Sequence, residues 1–313
     1  MAPEPVDDTI PSFAHIGINS PVTEIGILLL SEKAGVYTSW GSGVIVGPGL
    51  AITARHVIDG LSRYYGEQKL TSGTTQGVGF SLQAIQFVES GTQALSWSVR
   101  QIAVDEDTDI AFLTLQGSSE KHQSYKWRSF KMYLLPPQPG SVIAAFGYHH
   151  ISTDFLPDGS LQTVAHPYSA RGVVEEVHLT KRDAGLLQFP CFITNARFDG
   201  GMSGGLVVSQ EGLLCGLICS NLPPVSEDEH HVSYVSSLWP CMGTLLSWDR
   251  VGHPANVTYP AMDLVIGGIL VAVDAEKVSA VRDPSTGCVT ISADHNAWVE
   301  LAIASGYSEK VVR

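Results

Sequence analysis

The sequence predicts an all-β protein, and three observations carry that expectation. Short apolar, β-type runs follow one another from about residue 22 to 220. Helical periodicity is scarce over the same stretch. Glycine is abundant, at 31 of 313 residues, which suits many short strands joined by tight turns. Such a pattern points to a sandwich or a barrel.

The strands are expected in order. Ile25–Leu30 is the first, followed by Gly43–Val46 and Leu50–Ala54, which the turn Gly47-Pro48-Gly49 joins. Ile110–Leu115, Val142–Phe146 and Gly172–Val174 come next, and Leu206–Val208 and Leu213–Ile218 close the series. Between them, the polar segment 117–138 ends in Pro136-Pro137 and reads as a linker between two strand-rich halves. The stretch 222–229 has the composition of an exposed loop. A helix is expected over 232–248, interrupted near Pro240, then a strand over 265–273, a strand over 288–291 and a short helix over 296–305.

Composition excludes several classes. With 44% hydrophobic residues the chain buries one large core or two modest ones, and 16% charged residues are too few for a disordered chain. A net charge of -13 argues against nucleic acid as a partner, since binding phosphates needs a basic face. The one local basic run, Lys121, Lys126, Arg128 and Lys131, reads as a solvated surface. Five cysteines without C-x-x-C spacing give neither a disulfide framework nor a zinc site. Cys215 and Cys219 lie in an apolar run and are expected as buried thiols. The acidic, Pro-rich start lacks the pattern of a signal peptide. The longest apolar run, Leu264–Val273, is half the length that crosses a bilayer. The expectation is a soluble protein of a reducing, cytoplasmic compartment, with no membrane partner.

Three constellations carry chemistry. Thr53-Ala54-Arg55-His56 follows a strand, Asp109-Ile110-Ala111 opens one, and Gly200-Gly201-Met202-Ser203-Gly204-Gly205 sets a serine among glycines. A serine hydroxyl is a weak nucleophile at neutral pH and needs a base. Histidine titrates near neutrality and can take that proton. A carboxylate fixes the imidazole tautomer and stabilises the imidazolium. The glycines let the chain turn sharply, so the N–H groups of Gly201 and Ser203 could converge on one oxyanion.

In their order and spacing, with gaps of 53 and 94 residues, these segments resemble the His, Asp and Ser boxes of the chymotrypsin-like serine protease superfamily. Pro139-Gly140-Ser141-Val142 leading to Phe146-Gly147-Tyr148 is similar to the start of the second barrel in bacterial members of the HtrA-like or V8-like kind. The resemblance covers about residues 22–225. It implies two six-stranded antiparallel β-barrels with the active site between them; the strands and short helix expected beyond residue 255 add a small C-terminal α/β extension. It also implies a serine endopeptidase with His56, Asp109 and Ser203 as triad, Gly201 and Ser203 as oxyanion donors, and no cofactor or metal. The partner is then a protein or peptide substrate. On this reading 1–21 is an arm and 22–250 the protease domain, with barrels at 22–120 and 132–225 and a terminal helix at 232–248. Residues 251–313 form an extension whose role the sequence leaves open between covering one barrel, the simpler reading, and restraining the enzyme or docking a regulatory partner.

The sequence also departs from the pattern. Met202 stands where secreted members carry an acid that pairs with a newly cut amino terminus, which implies that maturation does not follow that route. Arg197 precedes the Ser box and would favour an acidic substrate side chain if it lined the primary pocket. Ile218, Cys219 and Ser220 would line the substrate strand. Other readings compete. G-x-S-x-G also occurs in α/β-hydrolase esterases, but there a helix follows the serine, whereas Leu206-Val207-Val208 reads as a strand. A silent protease-fold binding module usually lacks a triad residue. The pairs His149-His150 and His230-His231 are poor chelates, because neighbours on a strand face opposite ways.

Overall fold

A computed structural model of the chain describes residues 12–76, 80–155, 161–222, 231–247, 257–285 and 288–304. The first half contains β2 (Gly26–Lys33), β3 (Val36–Gly47), β4 (Leu50–Ala54), the helix α1 (Arg55–Tyr65), β5 (Gly73–Gln76), β6 (Ser81–Val88), β7 (Gln93–Val104) and β8 (Ile110–Gln116), preceded by a short strand β1 (Ser12–His15). Antiparallel pairing runs β2-β3-β4-β8-β7-β6 and returns to β2, so six strands close a barrel, with β5 added to β7. Along β6 burial alternates residue by residue, with Leu82, Ala84, Gln86 and Val88 inward. Gln86 is the polar exception and is fully satisfied. Its amide donates to Glu24 O and Tyr125 Oη, and its carbonyl accepts from Trp97 Nε1.

After a one-turn helix α2 (Glu120–Ser124) come β9 (Val142–Phe155), β10 (Leu161–His178), β11 (Cys191–Thr194), β12 (Leu206–Ser209), β13 (Leu214–Leu222) and β14 (Val232–Ser236). These close a second six-stranded barrel in the order β9-β10-β11-β14-β13-β12 and back to β9. The all-β double barrel is thus the architecture. The helix expected over 232–248 is not formed. Val232–Ser236 is the strand that closes the barrel between β11 and β13, a 3-10 turn covers Trp239–Gly243, and β15 (Leu245–Ser247) follows. Its apolar residues look helical in isolation, but two open strand edges compete for them and the ladder wins. The second barrel therefore runs past residue 225. The loop expected at 222–229 lies mostly outside the described residues.

The helix α1 corrects the expectation in the other direction. Val57, Ile58, Leu61 and Ser62 are buried on one face, and Gly66 ends the helix at φ 76°. In the described part of the N-terminal arm, β1 pairs with β10 from Ser12↔Arg171 to His15↔Tyr168.

The C-terminal segment contains β16 (Thr258–Pro260), α3 (Ala261–Ile266), β17 (Val278–Arg282), β18 (Val289–Ala293) and α4 (His295–Ala304). The strand expected over 265–273 is instead the end of α3 and an irregular stretch that bridges to Met132 at Ala272. This segment is not a separate unit. Asp274, almost fully buried, accepts the backbone N–H groups of Leu134 and Leu135 at 2.8 and 3.0 Å. Trp298 is fully buried in the same core as the second barrel and donates Nε1–H to Pro136 O at 2.6 Å. Trp298→Ala is expected to lower unfolding free energy by about 3–5 kcal/mol, the usual cost of removing a buried aromatic. The urea midpoint of the full chain measures it; an unchanged midpoint would mean the extension does not support the barrels.

Four cysteine thiols, Cys191, Cys215, Cys219 and Cys241, are buried and Cys288 is exposed, none of them in a disulfide. Among the described residues no helix is long and apolar enough to cross a membrane.

Candidate active site

Strand register brings the first two residues together. β4 and β8 are antiparallel with Ala54 opposite Ile110. The residue after β4 therefore meets the residue before β8, and Arg55 N donates to Asp109 O at 2.9 Å. One step on, His56 enters α1. Its Nδ1 lies 2.8 Å from Asp109 Oδ2 and its backbone N–H donates to Asp109 Oδ1 at 2.9 Å. Both carboxylate oxygens are thereby engaged by one residue. The Asp109 side chain is 8% exposed and the His56 ring 45%. Burial disfavours the imidazolium, but the hydrogen bond and charge of Asp109, with the charge of Asp59, outweigh it and raise the His56 pKa above its ordinary value.

Ser203 comes from the other barrel, on the loop between β11 and β12. A tight turn, Met202 N to Asp199 O at 3.1 Å, presents it. Gly204 holds φ 80°, and a Cβ there would strike Ser42 O, Thr53 Oγ1 and Ala54 N, so the loop lies flat against the end of β4. Ser203 O accepts the N–H of Ser42 at 2.8 Å. Ser42 itself is fully buried; its hydroxyl donates to Gly201 O at 3.0 Å and accepts Tyr148 N–H at 2.8 Å. Gly41-Ser42-Gly43 is thus the clamp between the barrels, a role its sequence gave no sign of. Among the described residues, no acceptor meets the N–H of Gly201 or of Ser203.

Cys219 links the halves. Its carbonyl accepts the Ser203 hydroxyl at 3.4 Å, and its thiol lies behind Asp109. Burial, then the nearby Asp109 carboxylate, push that thiol well above the ordinary range, so it stays protonated. His56, Asp109 and Cys219 bring a possible ligand atom each within 4.8 Å of one another. The 2.8 Å His56–Asp109 separation is a hydrogen bond and is shorter than the roughly 3.3 Å that two ligands on one zinc ion would keep.

The expected substrate-side residues divide. Ser220 is exposed on β13 beside the serine loop, as a lining residue would be. Ile218 is buried in the core, and its N–H and C=O bond Gly205 and Gly204, so it holds the serine loop and presents no side chain to a substrate. Cys219 turns its side chain to Asp109. The Arg197 side chain is about half exposed. Its guanidinium is bound by both oxygens of Asp199 at 2.9 and 2.7 Å and stacks on Phe13 at 4.4 Å, so its charge is already matched. Hydrogen bonds from Arg197 hold the Asp199 carboxyl below the usual range. Met202 is fully buried and apolar, and offers no charge to an amino terminus.

Two closed β-barrels with a hydrogen-bonded His–Asp pair on one and a glycine-flanked serine on the other define a protein of the double-barrel peptidase class. A family model described as the trypsin-like peptidase domain matches residues 41–217, more than half of the chain, and the chain belongs to that family. No curated protein matches the sequence. Among solved structures it is similar to the MamO protease domain from Magnetospirillum magneticum, at 16% identity and TM-score 0.43, covering 69% of this chain and 93% of that one. It is also similar to the active form of the Rv3671c protease from M. tuberculosis, at 12% identity and TM-score 0.44, covering 77% and 86%.

Proposed function

We propose that the chain is a serine endopeptidase. The observation that carries this reading is the pair of bonds from His56 to the two oxygens of Asp109. With Nδ1–H committed to the carboxylate, Nε2 is left as the acceptor. The Ser203 hydroxyl attacks the scissile carbonyl carbon as its proton passes to Nε2, and the carbonyl oxygen becomes an oxyanion between the N–H groups of Gly201 and Ser203. The tetrahedral species collapses as His56 gives its proton to the leaving amine, leaving an acyl ester on Ser203. Water, activated by the same imidazole, then releases the acid and restores the hydroxyl. No cofactor enters the scheme.

A second reading, a silent protease-fold binding module, is favoured by one observation: the Ser203 hydroxyl donates to Cys219 O and not to the His56 ring. Unliganded sites commonly hold such bonds loosely and tighten them when substrate binds. Digestion of a diverse peptide library, with cut sites mapped by mass spectrometry, separates the readings. Cuts by the wild type that vanish in Ser203→Ala support the peptidase. A wild type that neither cuts nor takes a fluorophosphonate at Ser203 is a binding module. Because Arg197 is matched by Asp199, the cut sites are not expected to concentrate after acidic residues.

The pH profile follows from the raised His56 pKa. Protonated His56 cannot accept the serine proton, so kcat/KM is expected to rise through an acid limb centred above 6.5, the ordinary histidine value. A limb centred below it would show that burial, and not Asp109, governs the imidazole.

A further inference from the structure

One residue outside the proposed triad grips the serine loop directly. His149, on β9, lies with Nδ1 2.6 Å from Gly200 O, and the ring is mostly buried. In a trans peptide the C=O and N–H groups point in opposite directions. The carbonyl held by His149 belongs to the Gly200–Gly201 peptide, so its capture fixes the opposite heading of the Gly201 N–H. The following carbonyl, Gly201 O, is held separately by the Ser42 hydroxyl. Gly201 sits at φ 91°, and a Cβ there would stand 2.8 Å from Tyr148 O, so nothing but glycine fits between the two anchors. Without its carbonyl partner, a glycine peptide in this region flips at little steric cost.

The imidazole is itself held from outside the barrel. Phe13, on the N-terminal strand β1, meets it edge-to-face at 6.5 Å and stacks on Tyr168 at 4.8 Å; Tyr168 meets the same imidazole at 5.4 Å. The other partner of Phe13 is the Arg197 guanidinium, whose carboxylate Asp199 lies 3.6 Å from His149 Nε2. The strand, the imidazole and the peptide form one contiguous stack.

We propose that His149 is a positioning residue that sets the Gly201 N–H toward the oxyanion, and that strand β1 keeps it in place through Phe13. The inference rests on the reading of the Gly201 N–H as an oxyanion donor. It gives the N-terminal strand a function: the serine loop is ordered by an aromatic side chain of β1, while the buried position beside Ser203 is the apolar Met202.

The test uses the full chain and a peptide taken from the library digestion. Loss of one oxyanion donor costs about 10²–10³ in kcat. His149→Ala is expected to lower kcat about 10²-fold, to leave KM within about twofold, and to weaken a peptidyl boronic acid, which forms a tetrahedral adduct on Ser203, in the same proportion as kcat. His149→Asn puts an amide N–H near the position of Nδ1 and is expected to recover at least tenfold of that loss. Phe13→Ala is expected to move kcat in the same direction, by about tenfold. Thermal unfolding of each variant reads stability separately. Wild-type kcat in His149→Ala overturns the inference, and so does a loss that Asn does not restore and that falls on KM as much as on kcat. A wild type that does not react with fluorophosphonate overturns the peptidase reading itself, a result distinct from any of these.

Discussion

Replacing His56 with alanine is expected to lower kcat by about 10⁶, with the fold intact. The magnitude follows from the way such a site fails: removing the base or the nucleophile alone costs nearly as much as removing the whole unit. What persists is catalysis by the oxyanion donors and by substrate binding, because neither depends on the imidazole. His56 is suited to this test because its ring is nearly half exposed and its backbone N–H, which alanine keeps, makes the second bond to Asp109. Fluorophosphonate labelling of Ser203 should fall with kcat, whereas circular dichroism and the urea midpoint should stay near those of the wild type. Labelling at the wild-type rate in His56→Ala would remove His56 from the role of base.

Asp109→Asn should lower kcat by about 10⁴ and also move the pH profile. The amide is close in shape to the carboxylate, so packing changes little. Its NH₂ group, however, donates where the carboxylate accepts. If that group turns to His56, Nδ1 becomes the acceptor and the proton moves to Nε2, which can then no longer take the serine proton. If it turns the other way, it meets the His56 backbone N–H donor at 2.9 Å. The sign of the pH effect is fixed as well. Burial lowers the His56 pKa; the Asp109 hydrogen bond and charge raise it and prevail. With the asparagine those two contributions go, and the acid limb of kcat/KM should shift to lower pH as the rate falls. A limb that stays in place would mean that Asp59 and the surrounding backbone set the imidazole, not Asp109.

The strand-rich class, the three boxes and eight of the twelve barrel strands are legible in the sequence, whereas β6, β7, β11 and β14 are not. Each legible feature is local: a strand announces itself by its own apolar run, and a glycine-flanked serine by its neighbours. The sequence also placed the buried thiols, since Cys215 and Cys219 sit within apolar residues of one strand. Tertiary structure decided whatever depends on a partner distant in the chain. Val232–Ser236 reads as helical in isolation and becomes a strand because β11 and β13 leave edges for it. The approach of His56 to Asp109 is a consequence of the Ala54↔Ile110 register, which no single segment encodes. Cys219, Ile218 and Arg197 were legible as residues near the serine, yet the direction of each side chain is set by packing: the thiol toward Asp109, the isoleucine into the core, the guanidinium onto Asp199 and Phe13. Ser42 and His149 gave no signal of their function, because each acts on a backbone carbonyl more than 50 residues away in sequence, a contact that side-chain patterns do not record. Local chemistry is written along the chain, but orientation is written only in the closed barrels, where hydrogen-bond register and core packing leave each side chain one direction to face.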